Sequence, residues 1–227
     1  MHNMKGKFIV FDGNDGSGKQ TQAKLLIERL EKEGHKIRII DFPRYYDNFF
    51  GKFIGECLTG KYGDFIGIDP HIISVIYAAD RFESSKEIKE WIDKGYIVLA
   101  DRYVSANQIH QGGKIKDVIK RRQFLEWLER MEYGAFDLAK PDMVVYLDVT
   151  VDVSLENLRN KKEKYSDGDV DLAESNREYL ENSRECGLWL ATQSDSWESI
   201  SCALGEGGMR SIEDIHNEVY EAVKKII

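Results

Sequence analysis

The sequence predicts an α/β fold, a parallel sheet flanked by helices, and three observations predict it. Short runs rich in Val, Ile and aromatic residues recur along the chain, longer amphipathic runs alternate with them, and a glycine-rich turn joins the first of each kind. The opening run KFIVFD (7–12) is apolar nearly throughout, the pattern of a strand buried on both faces of a parallel sheet. Residues 18–34 follow with helical spacing, and KIRIID (36–41) reads as the second strand. A helical pattern over 70–94 leads to YIVLAD (96–101), one over 116–133 leads to MVVYLDV (143–149), and one over 173–192 leads to a weaker fifth candidate, WESISC (197–202). A last amphipathic run covers 211–226. Segment 160–172, NKKEKYSDGDVDL, is charged and aperiodic, and reads as a flap or a solvated loop. Without repeats, low-complexity tracts or a Pro/Ser linker, the 227 residues read as one domain, 1–227.

Composition narrows the function classes. With 42% hydrophobic and 32% charged residues the chain has the make-up of an ordinary globule, and no apolar run reaches the length of a membrane span. A formal charge of −8 argues against wrapping a nucleic acid backbone, so any phosphate must be held in a local pocket. Cys57, Cys186 and Cys202 are odd in number and lack CxxC spacing, which predicts free thiols in a reducing, cytoplasmic compartment.

The turn between the first strand and first helix carries the chemistry. Gly13, Asn14, Asp15, Gly16, Ser17, Gly18 and Lys19 stand where backbone N–H groups and a helix N-terminus form an anion cradle, and Lys19 would bridge the outer phosphates of a nucleoside triphosphate. Gln20 occupies the position where this motif ordinarily has a hydroxyl for magnesium, and Thr21 comes one residue late. The metal would then rely on phosphates, water and a strand-end carboxylate, with Asp101 the best candidate. Asp12, Asp41 and Asp148 also close strands, and Asp148 reads as a plain strand terminator.

Arginines at the strand ends point to a second anionic substrate. Arg44 and Tyr45 follow the second strand and Arg102 and Tyr103 the third, and a guanidinium fork suits bidentate phosphate capture. In VIYAADRFE (75–83), Tyr77 and Arg81 are spaced i, i+4 and could hold the face and edge of a nucleobase, although this stretch read alone favours a core tyrosine and a surface arginine. SANQIHQGGK (105–114) supplies Asn107, Gln108 and Gln111 as amides able to read a base edge, and His110 reads as a polar contact rather than a catalyst.

Taken together these stretches resemble the thymidylate kinase family over most of the chain. FDGNDGSGKQTQ is similar to its phosphate loop, and FPRY, AADR, DRYVSANQIHQG and PDMVVYLDV match further family stretches in family order. The resemblance implies a P-loop kinase with a five-stranded parallel sheet, flanking helices and a small helical lid near 160–172. It implies a homodimer, and transfer of phosphate from ATP to dTMP with Mg2+. It would have Asp15 contact the sugar 3′-hydroxyl, Arg44 and Arg102 hold the dTMP phosphate, and Tyr77 stack on thymine. Arg81 and Asn107 would meet the thymine edge, with Phe42, Tyr45 and His110 also in the dTMP site. Lys19, Asp15 and Arg102 would be catalytic, joined by Arg159 or a lysine of the flap (Lys161, Lys162, Lys164). Two departures stand out: Ser105 and Ala106 are in swapped order, and His110 replaces a usual tyrosine. A nucleoside kinase is disfavoured by Arg44 and Arg102, and a GTPase by NKKE (160–163), which ends in Glu where a base reader needs Asp. A non-catalytic nucleotide sensor is the remaining alternative.

Overall fold

The computed structural model describes residues 5–164, 176–204 and 208–227, the side chains of 161–164 excepted. Five strands, β1 (Lys7–Asp12), β2 (Ile37–Asp41), β3 (Ile97–Asp101), β4 (Met143–Asp148) and β5 (Trp197–Ser201), form one parallel sheet in the order β2-β3-β1-β4-β5. β1 is central, Val10 standing in register with Ala100 on one side and Val144 on the other. Its alternating side chains seed two cores. Phe8 and Val10 join a layer with Ile109, Phe124 and Leu128, while Ile9 and Phe11 join one with Leu26, Leu30 and Val219. The chain crosses from one side of β1 to the other between β3 and β4. A crevice therefore opens beyond the carboxyl ends of β1 and β3, where such sheets bind ligands.

The strands agree with the sequence expectation to within a residue at each end, save that β2 is not buried on both faces. It is an edge strand, with Arg38 and Ile39 exposed. Among the helices, α1 (Lys19–Lys32) and α9 (Ile212–Lys224) follow their patterns. The run 70–94 divides at Ser84 into α3 (Pro70–Glu83) and α4 (Ser85–Asp93), and 116–133 becomes α6 (Val118–Glu129) followed by a π-helical turn, Arg130–Ala135. α8 (Arg177–Ala191) begins after the undescribed stretch.

Three helices have no counterpart in the periodicity: α2 (Phe49–Leu58), α5 (Val104–Gly113) and α7 (Val151–Lys164). α5 is rich in amides and ends in two glycines, so its helix comes from packing rather than intrinsic preference. A Cβ on Gly113 would stand 2.9 Å from the Asn182 carbonyl oxygen, so only glycine lets α5 and α8 approach this closely. The first residues of the expected 160–172 flap belong to α7, and the rest lie outside the described residues. No helix among the described residues is long and apolar enough to cross a membrane.

Candidate active site

Two cavities meet at the crevice and share Asp15, Phe42, Pro43, Tyr45 and Arg102 as a common wall. The larger is the loop cavity, lined by 15–22 together with Asp41, Asp101, Asn157 and Arg210 among others. The smaller is the aromatic cavity, lined by Tyr77, Arg81, Asn107, His110, Gln111 and Tyr179 among others.

The loop is built from backbone and braced from behind. Gly16 has a φ of 80°, and a Cβ there would meet the Ser154 carbonyl oxygen at 2.6 Å. α7 grips the loop through side chains: Ser154 Oγ donates to the Asp15 carbonyl, and Asn157 Nδ2 donates to that of Gly16 at 2.8 Å. Lys19 is buried and folds back over the loop, Nζ donating to the carbonyls of Gly13 (2.9 Å) and Asn14 (3.1 Å). Burial and the neighbouring Arg102 charge lower its pKa, against the pull of Asp15, Asp101 and Asp12. Asn14 Oδ1 and Ser17 Oγ are buried without a partner among the described residues. Of the predicted cradle, Asp15 through Thr21 line the cavity, while Gly13 and Asn14 lie behind its wall and hold the lysine.

Arg102 stands at the junction. Its φ of 65° is a left-handed conformation that costs a non-glycine residue on the order of 1 kcal/mol. The strain is held by its N–H on the Phe11 carbonyl (2.9 Å) and its guanidinium on Asp15 Oδ1 (2.7 Å). Burial pushes the Asp15 carboxyl up, but Arg102 and Lys19 overcome it and hold that carboxyl well below the usual carboxylate range. Asp12, fully buried beneath, accepts from Ser105 Oγ at 2.6 Å and from the Gly13 N–H at 2.8 Å, and burial raises its pKa. The Ser105–Ala106 order thus sends the hydroxyl to Asp12 and leaves Ala106 on the aromatic cavity.

In the aromatic cavity, Arg81 is buried rather than on the surface, contrary to the reading of its stretch alone. Its Nε and Nη2 donate to Glu132 at 2.7 and 2.6 Å, and its Nη1 to the Tyr103 carbonyl at 3.2 Å. Asn107 Nδ2 donates to Glu132 at 3.0 Å and to the Ser74 carbonyl at 3.1 Å. Tyr77 lies on the cavity wall, backed by Phe65. His110 stacks on Tyr179 and places Nδ1 3.2 Å from Ser183 Oγ, the polar contact expected of it. Burial, then the charge of Arg102, lowers its pKa to about 3, so the ring is neutral at physiological pH.

Not every candidate reaches a cavity. Arg44 lines neither. Its guanidinium is held by Asp47 (3.0 Å), Ser84 (3.1 Å) and Glu87 (3.4 Å). Arg159 is exposed on α7 and lines neither, and the side chains of Lys161, Lys162 and Lys164 lie outside the described residues. Asp148 is more than a strand terminator, since Arg184 binds both its oxygens at 2.6 and 2.9 Å. Sequence reasoning missed Glu132, Ser154, Asn157, Tyr179 and Leu180, which are polar or unremarkable residues in amphipathic runs with no local motif.

For a magnesium ion the donor set is suitable. Asp101 and Asp41 both line the loop cavity, and the Asp41 pKa is raised by burial and then by the Asp101 charge. Two oxygen donors that repel one another suit a hard divalent cation beside phosphates. No group of three or more His, Cys, Asp or Glu side chains able to hold a metal occurs among the described residues, so phosphate oxygens or water would complete any coordination.

A parallel five-stranded sheet with a phosphate loop after its central strand defines a P-loop protein of the nucleotide kinase type. The thymidylate kinase family profile matches residues 11–219, and the chain belongs to that family, making it a phosphotransferase. It is 29% identical to the thymidylate kinase of Plasmodium falciparum over 98% of this chain and 91% of the relative. It is 32% identical to a probable thymidylate kinase of Thermococcus kodakarensis over 97% and 98% of the two chains. Among solved structures, the thymidylate kinase of Candida albicans superposes with a TM-score of 0.71 at 22% identity, covering 97% of this chain and 92% of that one, a likeness of fold.

Proposed function

We propose that this chain transfers the γ-phosphoryl group of ATP to the 5′-phosphate of dTMP, giving ADP and dTDP. The observation that carries the reading is the shared wall. A triphosphate cradle and a cavity lined by aromatic rings, a guanidinium and amides meet at Arg102, so donor and acceptor phosphates would face one another across a single guanidinium. The loop amides and Lys19 would hold the ATP phosphates, and Lys19 would neutralise charge as the phosphoryl group moves. Arg102 would hold the acceptor phosphate, with Asp15 fixing the guanidinium and facing the sugar hydroxyl. Tyr77 would lie against the thymine face, with Arg81, Asn107 and Gln111 at its edge. Phe42 and Tyr45, on both cavity walls, would keep water from the transferring group. Mg2+ bound with the triphosphate supplies further charge neutralisation, and Asp101, with Asp41 beside it, would hold it.

The loop's own cation is Lys19 alone, the loop contains no arginine, and Arg102 is given to the acceptor phosphate, which leaves the transferring group with less positive charge than such transfers ordinarily use. Arg159 or a lysine of the flap would supply the missing cation on closure. The homodimer is supported by an exposed apolar stripe on α3 (Ile72, Val75, Phe82) beside Phe49 of α2. A coupled ADP-release assay with ATP, Mg2+ and a panel of nucleosides and nucleoside monophosphates tests the reading. dTMP should be turned over fastest and thymidine not at all. ADP release with thymidine alone would favour a nucleoside kinase, and nucleotide binding without turnover a sensor.

A further inference from the structure

The base-reading end of the aromatic cavity is governed by a residue that does not line it. Glu132 is fully buried in the π-helical turn Arg130–Ala135 and is absent from the cavity wall. The wider π turn shifts its side chain from the position a continuing α-helix would give it. Its carboxylate there binds Arg81 at two points and Asn107 at one.

Those contacts fix an edge of defined polarity. Both Asn107 amide protons are committed, one to Glu132 and one to the Ser74 carbonyl. Rotating the amide by half a turn would set Oδ1 against two acceptors, so Oδ1 is the atom left for the cavity that Asn107 lines. Arg81 commits Nε–H and one Nη2–H to Glu132 and one Nη1–H to Tyr103, and its remaining N–H groups serve the same cavity. The edge therefore offers a donor beside an acceptor. A pyrimidine with a carbonyl at C4 and a proton on N3 complements it, whereas an amino group at C4 and a bare N3 meet it donor to donor and acceptor to acceptor.

We propose that Glu132 is a positioning residue that sets this polarity and thereby selects thymine-type over cytosine-type monophosphates, an inference that rests on reading the cavity as the dTMP site. With glutamine at 132, one of the two acceptors that fix the Asn107 amide would be weakened, leaving the Ser74 carbonyl as its main orienting partner, and the guanidinium of Arg81 would lose its anionic anchor.

Calorimetric titration of the full-length wild type, E132Q and E132D with dTMP and with dCMP tests this, alongside thermal melts and the KM for ATP. The expected result for E132Q is dTMP binding weakened by roughly tenfold or more, a preference for dTMP over dCMP reduced by a similar factor, and an unchanged KM for ATP. Equal weakening toward both nucleotides in a folded E132Q would mean that Glu132 only supports the structure, and would overturn the proposal. E132D keeps the charge that Arg81 requires but is one methylene short of spanning both partners. It should show the same loss of preference, and carries the test if E132Q does not fold. In the wild type, 3-methyl-dTMP, which lacks the N3 proton, should bind roughly tenfold or more weaker than dTMP, and equal binding would overturn the assigned polarity. A wild type that binds no dTMP would instead sink the substrate reading itself, an outcome separate from a wild type that binds dTMP beside an E132Q of unchanged preference.

Discussion

The two cavities are built on opposite plans. The loop cavity is centred on one consecutive run, 15–22, with a buried lysine lying on the loop's own carbonyls, and residues such as Asp41, Asp101, Asn157 and Arg210 close it. The aromatic cavity is made by side chains from β1's loop, the segments after β2 and β3, and α2, α3, α5 and α8, oriented by ion pairs across the fold. Backbone recognition tolerates many side chains provided the turn is kept, whereas side-chain recognition fails at single positions. The difference predicts that substitutions in the first should act on turnover and those in the second on affinity and selectivity.

The sharpest break of that contrast is K19A, which should lower kcat about a thousandfold at saturating substrates, because Lys19 is the one long cation of the loop. Stopped-flow or coupled ADP release would measure it, and near-normal turnover would remove the kinase reading of the loop. R102A probes the shared wall. It should weaken dTMP roughly tenfold to a hundredfold while leaving ATP nearly unaffected, the loss of a charge-assisted contact. Equal losses for both substrates would show that the two cavities act as one. Alanine variants at Arg159, Lys161, Lys162 and Lys164 ask whether the flap adds to the loop's charge. At saturating ATP and dTMP at least one should lose about tenfold in kcat with KM unchanged, the signature of a contact made only in the transition state. If all four turn over at the wild-type rate, the extra cation comes from another part of the chain.

Smaller effects sharpen the aromatic side. Y77A should raise the KM for dTMP roughly tenfold through lost stacking, while Y77F should stay near wild type. A phenylalanine variant as poor as the alanine one would make the hydroxyl the important group. The smallest effect concerns pH. His110 has its pKa lowered to about 3, below the ordinary value of about 6.5. Between those values the unfolded chain binds a proton that the folded chain refuses, so the stability due to the neutral ring is present above about pH 6.5 and is lost as pH falls toward 3. Proton NMR of the His110 ring should show no titration between pH 5 and 8, and a midpoint near 6.5 would contradict the buried, neutral assignment.

What was legible follows the same division. The loop and the five strands could be read because each is encoded by adjacent residues. β1, β3 and β4 announce themselves by nearly unbroken apolar runs, β2 and β5 by interrupted ones, and Gly13–Lys19 by one motif. α5 was not legible, because its helix depends on Gly113 meeting α8 rather than on its own amide-rich residues. Arg81 looked like a surface residue because the carboxylate that buries it, Glu132, is 51 positions away and lies among other charges in an amphipathic run. Arg44 is a different case. Its place after a strand suggests a phosphate ligand, and in the structure Asp47 and Glu87 hold its guanidinium, so that it lines neither cavity. The flap's part in the site rests on its charge pattern alone.

The grip of α7 on the loop has a thermodynamic corollary. Ser154 and Asn157 hold the carbonyls of Asp15 and Gly16 and share a helix with the first flap residues, so loop geometry and helix placement are linked variables. If filling the loop with phosphate changes the preferred seat of α7 by some free energy, then reseating α7 changes affinity for phosphate by the same amount, since such coupling is reciprocal. A variant such as N157A, which contributes no charge and removes the donor to the Gly16 carbonyl, would then alter ATP binding together with the seat of α7.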